Sequence, residues 1–168
     1  MNIAGLNKCD IANGDGIRVS IFVSGCDHHC PGCFNQEAWD YGYGTALTDE
    51  TIENLITYVG RPWVSGITIL GGEPLEPCNQ EEVLKLMKAV KEAYPAKTIW
   101  LYTGFILEDL LYSATCRANT AVLADIMELV DVLVDGPYVE DLRDPTLRFR
   151  GSSNQRIINM NTAEVIAF

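Results

Sequence analysis

Residues 17–35 read IRVSIFVSGCDHHCPGCFN, a strand-like segment that runs directly into a loop rich in cysteine. In the first half, apolar residues occupy every second position, which is the period of a β-strand: Ile17, Val19, Ile21 and Val23. In the second half, three cysteines follow the spacing C-x3-C-x2-C: Cys26, Cys30 and Cys33. Two glycines and a proline lie among them, and these residue types suit a tight loop. The stretch therefore predicts a strand whose carboxyl end carries a thiol-based site.

Beyond this stretch, predicted strands and helices alternate along the chain. Three further buried strands are predicted in the segments GITILGGEP, TIWLYTG and DVLVDG, and the tail from residue 150 predicts one or two more. One helix is predicted over residues 48–60, with Thr48 as its N-cap and Gly60 at its end. Others are predicted from about Asn79 and within the segment TAVLADIMELV.

This alternation predicts an α/β fold with parallel strands and flanking helices, because parallel neighbours need a crossover connection. Ligands in such folds collect at the carboxyl ends of the strands. Polar segments that contain glycine follow all four predicted strands, at residues 25–33, 71–73, 103–104 and 135–136. We therefore expect these four segments to open onto one face of the sheet.

The composition narrows the class of protein. The 168 residues predict a single domain, and the net charge of −11 disfavours a nucleic-acid binder, which usually carries a basic patch. No apolar run approaches the roughly 20 residues of a membrane span. The N-terminal segment lacks the basic and apolar regions of a secretion signal, so the expected location is the cytoplasm, with no membrane partner.

The three clustered cysteines admit several kinds of site. A disulfide framework is disfavoured, since six cysteines in 168 residues are few for such a scaffold. Structural zinc commonly uses two C-x2-C-like pairs, and a second pair is missing here. A 4Fe–4S cluster usually takes four thiolates, so three local ligands would leave one iron open to a non-protein ligand. An open iron is of no use to a simple electron carrier, but a catalyst needs one.

At this point the chain resembles a known superfamily, the radical S-adenosylmethionine enzymes. Their C-x3-C-x2-C motif also follows the first strand, and an aromatic residue, here Phe34, follows the last cysteine. The segment GGEP at residues 71–74 resembles their glycine-rich motif. Further segments are similar to one glycyl-radical activating branch, the anaerobic ribonucleotide reductase activating proteins: NGDGIR, CPGCFN, LYTGF and RGSSNQR.

The resemblance implies a fold and a set of site residues. The fold would be an open partial (β/α) barrel of the radical S-adenosylmethionine type, formed by residues 1–168 as one domain. Three metal ligands would hold a 4Fe–4S cluster: Cys26, Cys30 and Cys33. S-adenosylmethionine would bind the open iron and contact Gly32, Cys33 and Phe34 with its adenosyl part. Its amino group would meet Gly71, Gly72 and Glu73, since a carboxylate accepts a hydrogen bond from an ammonium.

The resemblance also implies a reaction and partners. An external electron donor such as flavodoxin would reduce the cluster, and S-adenosylmethionine would be cleaved to methionine and a 5′-deoxyadenosyl radical. That radical would take a hydrogen atom from a glycine of the large subunit of anaerobic ribonucleoside-triphosphate reductase. Two alternatives stay open: a small enzyme of this superfamily that acts on another protein, peptide or small molecule, and a zinc-stabilised binding module.

Other chemically capable residues receive weaker predictions. Thr103, Asp135 and residues 152–154 are candidates for the same pocket. His28 and His29 are expected to be exposed loop residues. Three further cysteines are expected to be plain thiols: Cys9, Cys78 and Cys116.

Overall fold

The structure is a computed structural model that describes residues 1–167, and it contains an eight-stranded mixed sheet with four α-helices. The strands are β1 (Asn2–Asp10), β2 (Ile17–Val23), β3 (Thr45–Ala46), β4 (Val64–Gly71), β5 (Thr98–Tyr102), β6 (Val132–Asp135), β7 (Arg156–Asn159) and β8 (Glu164–Val165). The helices are α1 (Asp49–Val59), α2 (Pro77–Ala93), α3 (Leu107–Tyr112) and α4 (Leu123–Leu129), with 3₁₀ turns at Gln36–Trp39 and Glu140–Leu142. Within residues 1–167, none of the helices is long and apolar enough to cross a membrane.

The sheet is open, with the strand order β3-β1-β2-β4-β5-β6-β7-β8. Its four central strands β2, β4, β5 and β6 pair in parallel, and they match the four buried strands predicted from the sequence. The one or two further strands predicted in the tail are β7 and β8. The outer strands pair antiparallel, so the all-parallel expectation holds only for the centre. Strand β1 was missed because it lies near an edge and has four consecutive exposed residues in place of an alternating pattern.

The helices cover one face of the central strands. Alternate strand residues such as Ile21, Ile69 and Leu101 are fully buried there against apolar side chains of the helices, including Leu55 and Leu86. The intervening residues point to the opposite face, where Trp100, Val134, Phe149 and Ile157 form a second apolar cluster. The sheet is thus buried by helices on one side, and the other side is free to enclose a cavity.

The helix predictions are confirmed with small shifts at the ends. Thr48 caps α1, since its hydroxyl accepts a hydrogen bond from the Thr51 amide at 3.2 Å, and the Gly60 amide closes the last turn on Ile56 O at 2.9 Å. Helix α2 begins at Pro77, before the predicted start, because proline is tolerated in the first turn. The short helix α3 was not predicted.

One charged side chain is buried beneath the free face. Arg18 is 1% exposed, and each of its five N–H groups has a neutral acceptor. Burial lowers its pKa to about 10, so the guanidinium stays charged at neutral pH. Its Nε donates to Thr68 Oγ1 at 2.7 Å, and that hydroxyl donates to Asn13 O at 2.7 Å. These hydrogen bonds hold the loop that follows β1 against the central strands.

Candidate metal centre

A cavity of about 340 Å³ opens on the free face at the carboxyl ends of the parallel strands. Of the cluster ligands and S-adenosylmethionine contacts that the resemblance implies, all except Gly32 line this cavity: Cys26, Cys30, Cys33, Phe34, Gly71, Gly72 and Glu73. Gly32 lines an adjoining cavity that shares Phe34 and Tyr138 with the first. The expected convergence of strand ends is therefore found. Thr103 also lines the cavity, whereas Asp135 and residues 152–154 are not among its lining residues.

Glycines shape the backbone of the cysteine loop. Gly25 has φ +94°, and a Cβ there would lie 2.2 Å from the Tyr41 ring. Gly32 has φ +73°, and a Cβ would lie 1.9 Å from Glu140 Oε2. Both positions require the left-handed conformation that glycine adopts without strain. These turns bring three cysteines, spread over eight positions of the chain, to the wall of one cavity.

The three thiols differ in exposure. Cys26 is buried, and Cys30 and Cys33 are half-buried. Burial raises the pKa of Cys26 to about 12 and also raises that of Cys30. A thiolate at Cys26 therefore needs a positive charge beside it, which a bound metal supplies. Within residues 1–167, no three His, Cys, Asp or Glu side chains are grouped as ligands of a single metal ion.

The glycine-rich segment packs directly on the start of the cysteine loop. The Gly72 amide donates to Val23 O at 2.7 Å, and the Glu73 amide donates to Gly25 O at 2.8 Å. A Cβ at Gly72 would lie 2.6 Å from Gly25 O, so the close approach of these two segments requires glycine. The end of β4 and the loop that carries the cysteines are consequently held as one unit.

Glu73 is 1% exposed and bonded on both carboxylate oxygens. Four donors of the protein reach it: Leu75 N at 2.9 Å, Thr103 Oγ1 at 2.9 Å, Gly104 N at 2.7 Å and His28 Nε2 at 3.0 Å. An ionised carboxylate offers about four acceptor positions, so these donors satisfy it. Its predicted contact with a ligand ammonium stays a prediction, and in the structure Glu73 joins β4, β5 and the cysteine loop.

Two residues that anchor the cysteine loop from behind the cavity wall were not predicted, Glu76 and Arg117. Glu76 is 1% exposed and accepts from the Asp27 amide at 3.0 Å and from Arg117 Nη2 at 2.7 Å. The guanidinium of Arg117 also lies 4.6 Å from the centre of the Phe105 ring. A second acid three residues after Glu73 was the available signal for Glu76, whereas nothing local marked Arg117.

The prediction of exposed histidines was wrong for one of the pair. The His28 side chain is 14% exposed and bonds Glu73, because the loop folds back over the end of β5. His29 is exposed as predicted and contacts the Trp39 ring edge-on at 4.7 Å.

Asp135 has a structural partner away from the cavity. It is fully buried and accepts hydrogen bonds from the Leu107 amide at 2.8 Å and from Arg156 Nε at 3.0 Å. Arg156 also binds both carboxylate oxygens of Glu108. This network fixes the start of α3 beside β6 and leaves the neighbouring Gly136 to line the cavity.

The ion pair between Glu108 and Arg156 should make the folding stability of the protein depend on pH in acid. Hydrogen bonding to Arg156 lowers its pKa from 4.5 to about 2. Its contribution to folding is therefore complete above pH 4.5 and is lost as the pH falls through 2. We expect the free energy of unfolding of Glu108→Gln to fall less steeply between these pH values than that of the wild type, as measured by urea titration. The control Glu92→Gln, outside the network, should keep the wild-type slope. Identical slopes for Glu108→Gln and the wild type would contradict the assignment.

Comparisons with known proteins place the chain in a family. The family model described as a 4Fe-4S single cluster domain matches residues 12–158. An Escherichia coli K12 protein is 39% identical over 157 residues, which cover 92% of this chain and 96% of that protein. A phage T4 protein is 38% identical over 157 residues (94% and 93%), and a Haemophilus influenzae protein is 36% identical over 159 residues (94% and 97%). All three are named anaerobic ribonucleoside-triphosphate reductase-activating protein. The chain therefore belongs to the family of anaerobic ribonucleoside-triphosphate reductase-activating proteins and carries a 4Fe-4S single cluster domain.

Proposed function

We propose that this protein activates an anaerobic ribonucleoside-triphosphate reductase by generating a glycyl radical on its large subunit. The radical arises through reductive cleavage of S-adenosylmethionine at a 4Fe–4S cluster. One observation carries the proposal: three cysteines and a double glycine line one cavity in a chain whose relatives are named activating proteins of that reductase.

The residues at the cavity fit a cluster with one open iron. Cys26, Cys30 and Cys33 are its ligands in this proposal, and soft thiolates suit iron–sulfur binding. All six cysteines are free thiols, so none of the three is used in a disulfide. When bound, the cluster supplies the single electron that breaks a carbon–sulfur bond of S-adenosylmethionine.

The protein's own residues bind S-adenosylmethionine, orient it and shield it from water. The backbone of Gly71 and Gly72 meets the amino group of S-adenosylmethionine, since the absence of side chains lets a ligand approach it closely. Glu73 supports that backbone and is a secondary candidate for the same contact. Gly32 and Phe34 flank Cys33 and contact the adenosyl part near the opening, where Phe34 is 90% exposed.

The proposal includes two macromolecular partners. The large subunit of the reductase provides the glycine, and an external donor such as flavodoxin provides the electron. Neither nucleic acid nor a membrane is a partner, in keeping with a net charge of −11. The protein is placed in the cytoplasm, where thiols remain reduced.

The proposal also specifies the type of barrel and the number of domains. We infer that the open sheet is a partial (β/α) barrel of the radical S-adenosylmethionine type and that residues 1–168 form one domain. In support, one apolar core contains side chains from β1, from all four parallel strands and from all four helices. The free face of the sheet then corresponds to the inside of the barrel, where the cavity lies.

A glycyl-radical assay tests the proposal. The anaerobically reconstituted, reduced protein is incubated with S-adenosylmethionine and the large reductase subunit, and electron paramagnetic resonance should show a glycyl radical on the reductase. Formation of 5′-deoxyadenosine without that radical would instead support an enzyme of the same superfamily with another substrate. A colourless protein with stoichiometric zinc and no labile sulfide would overturn the proposal in favour of a zinc-stabilised module.

A further inference from the structure

The loop between Cys26 and Cys30 is attached to the cavity floor through His28. We propose that His28 is a positioning residue, which sets where the cysteine loop stands relative to the double glycine at the end of β4. The inference rests on the proposed function, because it assigns His28 a task in aligning the cluster ligands with the S-adenosylmethionine contacts.

His28 and Glu73 share a buried hydrogen bond. Two backbone amides and the Thr103 hydroxyl donate to the same carboxylate. In the tautomer with its proton on Nε2, His28 is the fourth donor, with Nε2 3.0 Å from Glu73 Oε2. Because Glu73 is 1% exposed and lies directly after Gly72, the imidazole is tied to the segment proposed to contact S-adenosylmethionine.

Packing holds the ring in the same place. The His28 ring meets the Phe105 ring edge-on, with centroids 4.6 Å apart. A Cβ on Gly104 would lie 2.7 Å from both Cδ2 and Nε2 of the imidazole. The ring therefore sits directly on the backbone at the end of β5, in space that glycine leaves open.

A second bond anchors the neighbouring residue. The Asp27 amide donates to Glu76 Oε1 at 3.0 Å, and Arg117 binds the same carboxylate. Two successive residues of the loop are thus bonded to two buried carboxylates that lie three positions apart in the segment after β4. Both bonds hold the span from Cys26 to Cys30 in a fixed position relative to that segment in this proposal.

The adjacent histidine provides a matched control. His29 is exposed, has φ +48° and contacts the Trp39 ring rather than either buried carboxylate. Asparagine tolerates that left-handed conformation, so His29→Asn preserves the loop. His28→Asn makes the same chemical change but is too short to reach Glu73. His28→Gln places an N–H donor the same number of bonds from Cα as Nε2 and should restore the contact.

The main experiment compares these variants as reconstituted holoproteins. For His28→Asn we expect the KM for S-adenosylmethionine to rise about tenfold, the scale typical of lost supporting contacts at metal sites. The change in the electron paramagnetic resonance spectrum of the reduced cluster on adding S-adenosylmethionine should weaken in parallel. His29→Asn should behave as the wild type, and His28→Gln should recover most of the affinity. Equal values for His28→Asn and His29→Asn, or no recovery in His28→Gln, would overturn the proposal.

A double substitution tests the packing. Gly104→Ala should displace the imidazole and raise the KM several-fold in the wild-type background, because its Cβ would occupy the position of the ring. In a His28→Asn background the same substitution should add little, since the shorter side chain leaves room for it. Additive effects of the two substitutions would contradict the assigned contact.

Hydrogen exchange separates this inference from the proposed function. In the apoprotein, amides of residues 26–30 should exchange faster in His28→Asn than in His29→Asn, with equal melting temperatures for the two variants. This readout needs neither a cluster nor S-adenosylmethionine cleavage. Equal exchange in the two variants would refute the positioning role, even if the activation assay succeeds. Faster exchange in His28→Asn together with a failed activation assay would refute only the proposed function.

Discussion

Replacing Cys26, Cys30 or Cys33 with alanine should reduce glycyl-radical formation by more than about 100-fold, beyond the 10- to 100-fold typical of lost supporting contacts. Each substitution removes one of the three proposed ligands, and the loop contains no fourth cysteine that could replace it. The iron and labile sulfide content of the anaerobically reconstituted protein should fall together with activity. The measurement combines iron analysis, the visible absorption of the cluster and the radical assay.

Two other cysteines provide controls for this prediction. Cys9 is exposed on β1, and Cys116 packs at the edge of the helical core, and neither lines the cavity. Cys9→Ala and Cys116→Ala should keep wild-type iron content and activity. Circular dichroism checks that the ligand variants remain folded. Full cluster content and activity in a folded Cys30→Ala protein would show that the ligand assignment is wrong.

Gly72→Ala should impair both stability and activity. The added Cβ would lie 2.6 Å from Gly25 O and 2.9 Å from Ala38 O, and both are backbone atoms that cannot move aside as a flexible side chain would. Overpacking of this kind costs about 1–3 kcal/mol. At about 2–4 °C per kcal/mol for a domain of this size, the melting temperature should fall by several degrees. The KM for S-adenosylmethionine should rise as well, since relief of the clash moves the double glycine away from the cysteine loop.

Gly5→Ala is the matched control for this substitution. A Cβ at Gly5 would lie 3.8 Å from the Phe22 ring, an ordinary contact distance. We expect its melting temperature and KM to match those of the wild type. A Gly72→Ala protein with the stability and KM of Gly5→Ala would contradict the close packing of the glycine-rich segment on the cysteine loop.

Part of the candidate site followed from local sequence. The cysteine spacing and the double glycine predicted residues that now line one cavity, because parallel strands bring their carboxyl ends to the same edge of a sheet. The central strands were predicted correctly, since their residues are buried and strongly apolar. Strand β1 and helix α3 were missed because neither carries a clear apolar period.

The roles of individual polar residues did not follow from local sequence. Asp135 was a candidate for the pocket, but it pairs with Arg156, which lies 21 positions further along the chain. His28 was expected to be exposed, but it bonds Glu73, 45 positions away. The bond between Arg117 and Glu76 spans 41 positions. A polar side chain with no local partner takes whichever donor or acceptor the fold brings near, and residue type and spacing do not specify that partner.

By itself, the sequence determined the strand–helix alternation, the three thiols in one loop and the resemblance to a family, because each depends on residues that are neighbours in the chain. Only the tertiary structure decided that Glu73 and Glu76 bind the protein's own donors, that Arg18 is buried beneath the free face and that one histidine of the pair is anchored. These outcomes depend on contacts between distant segments, where burial makes each unpaired polar group costly and so fixes its partner.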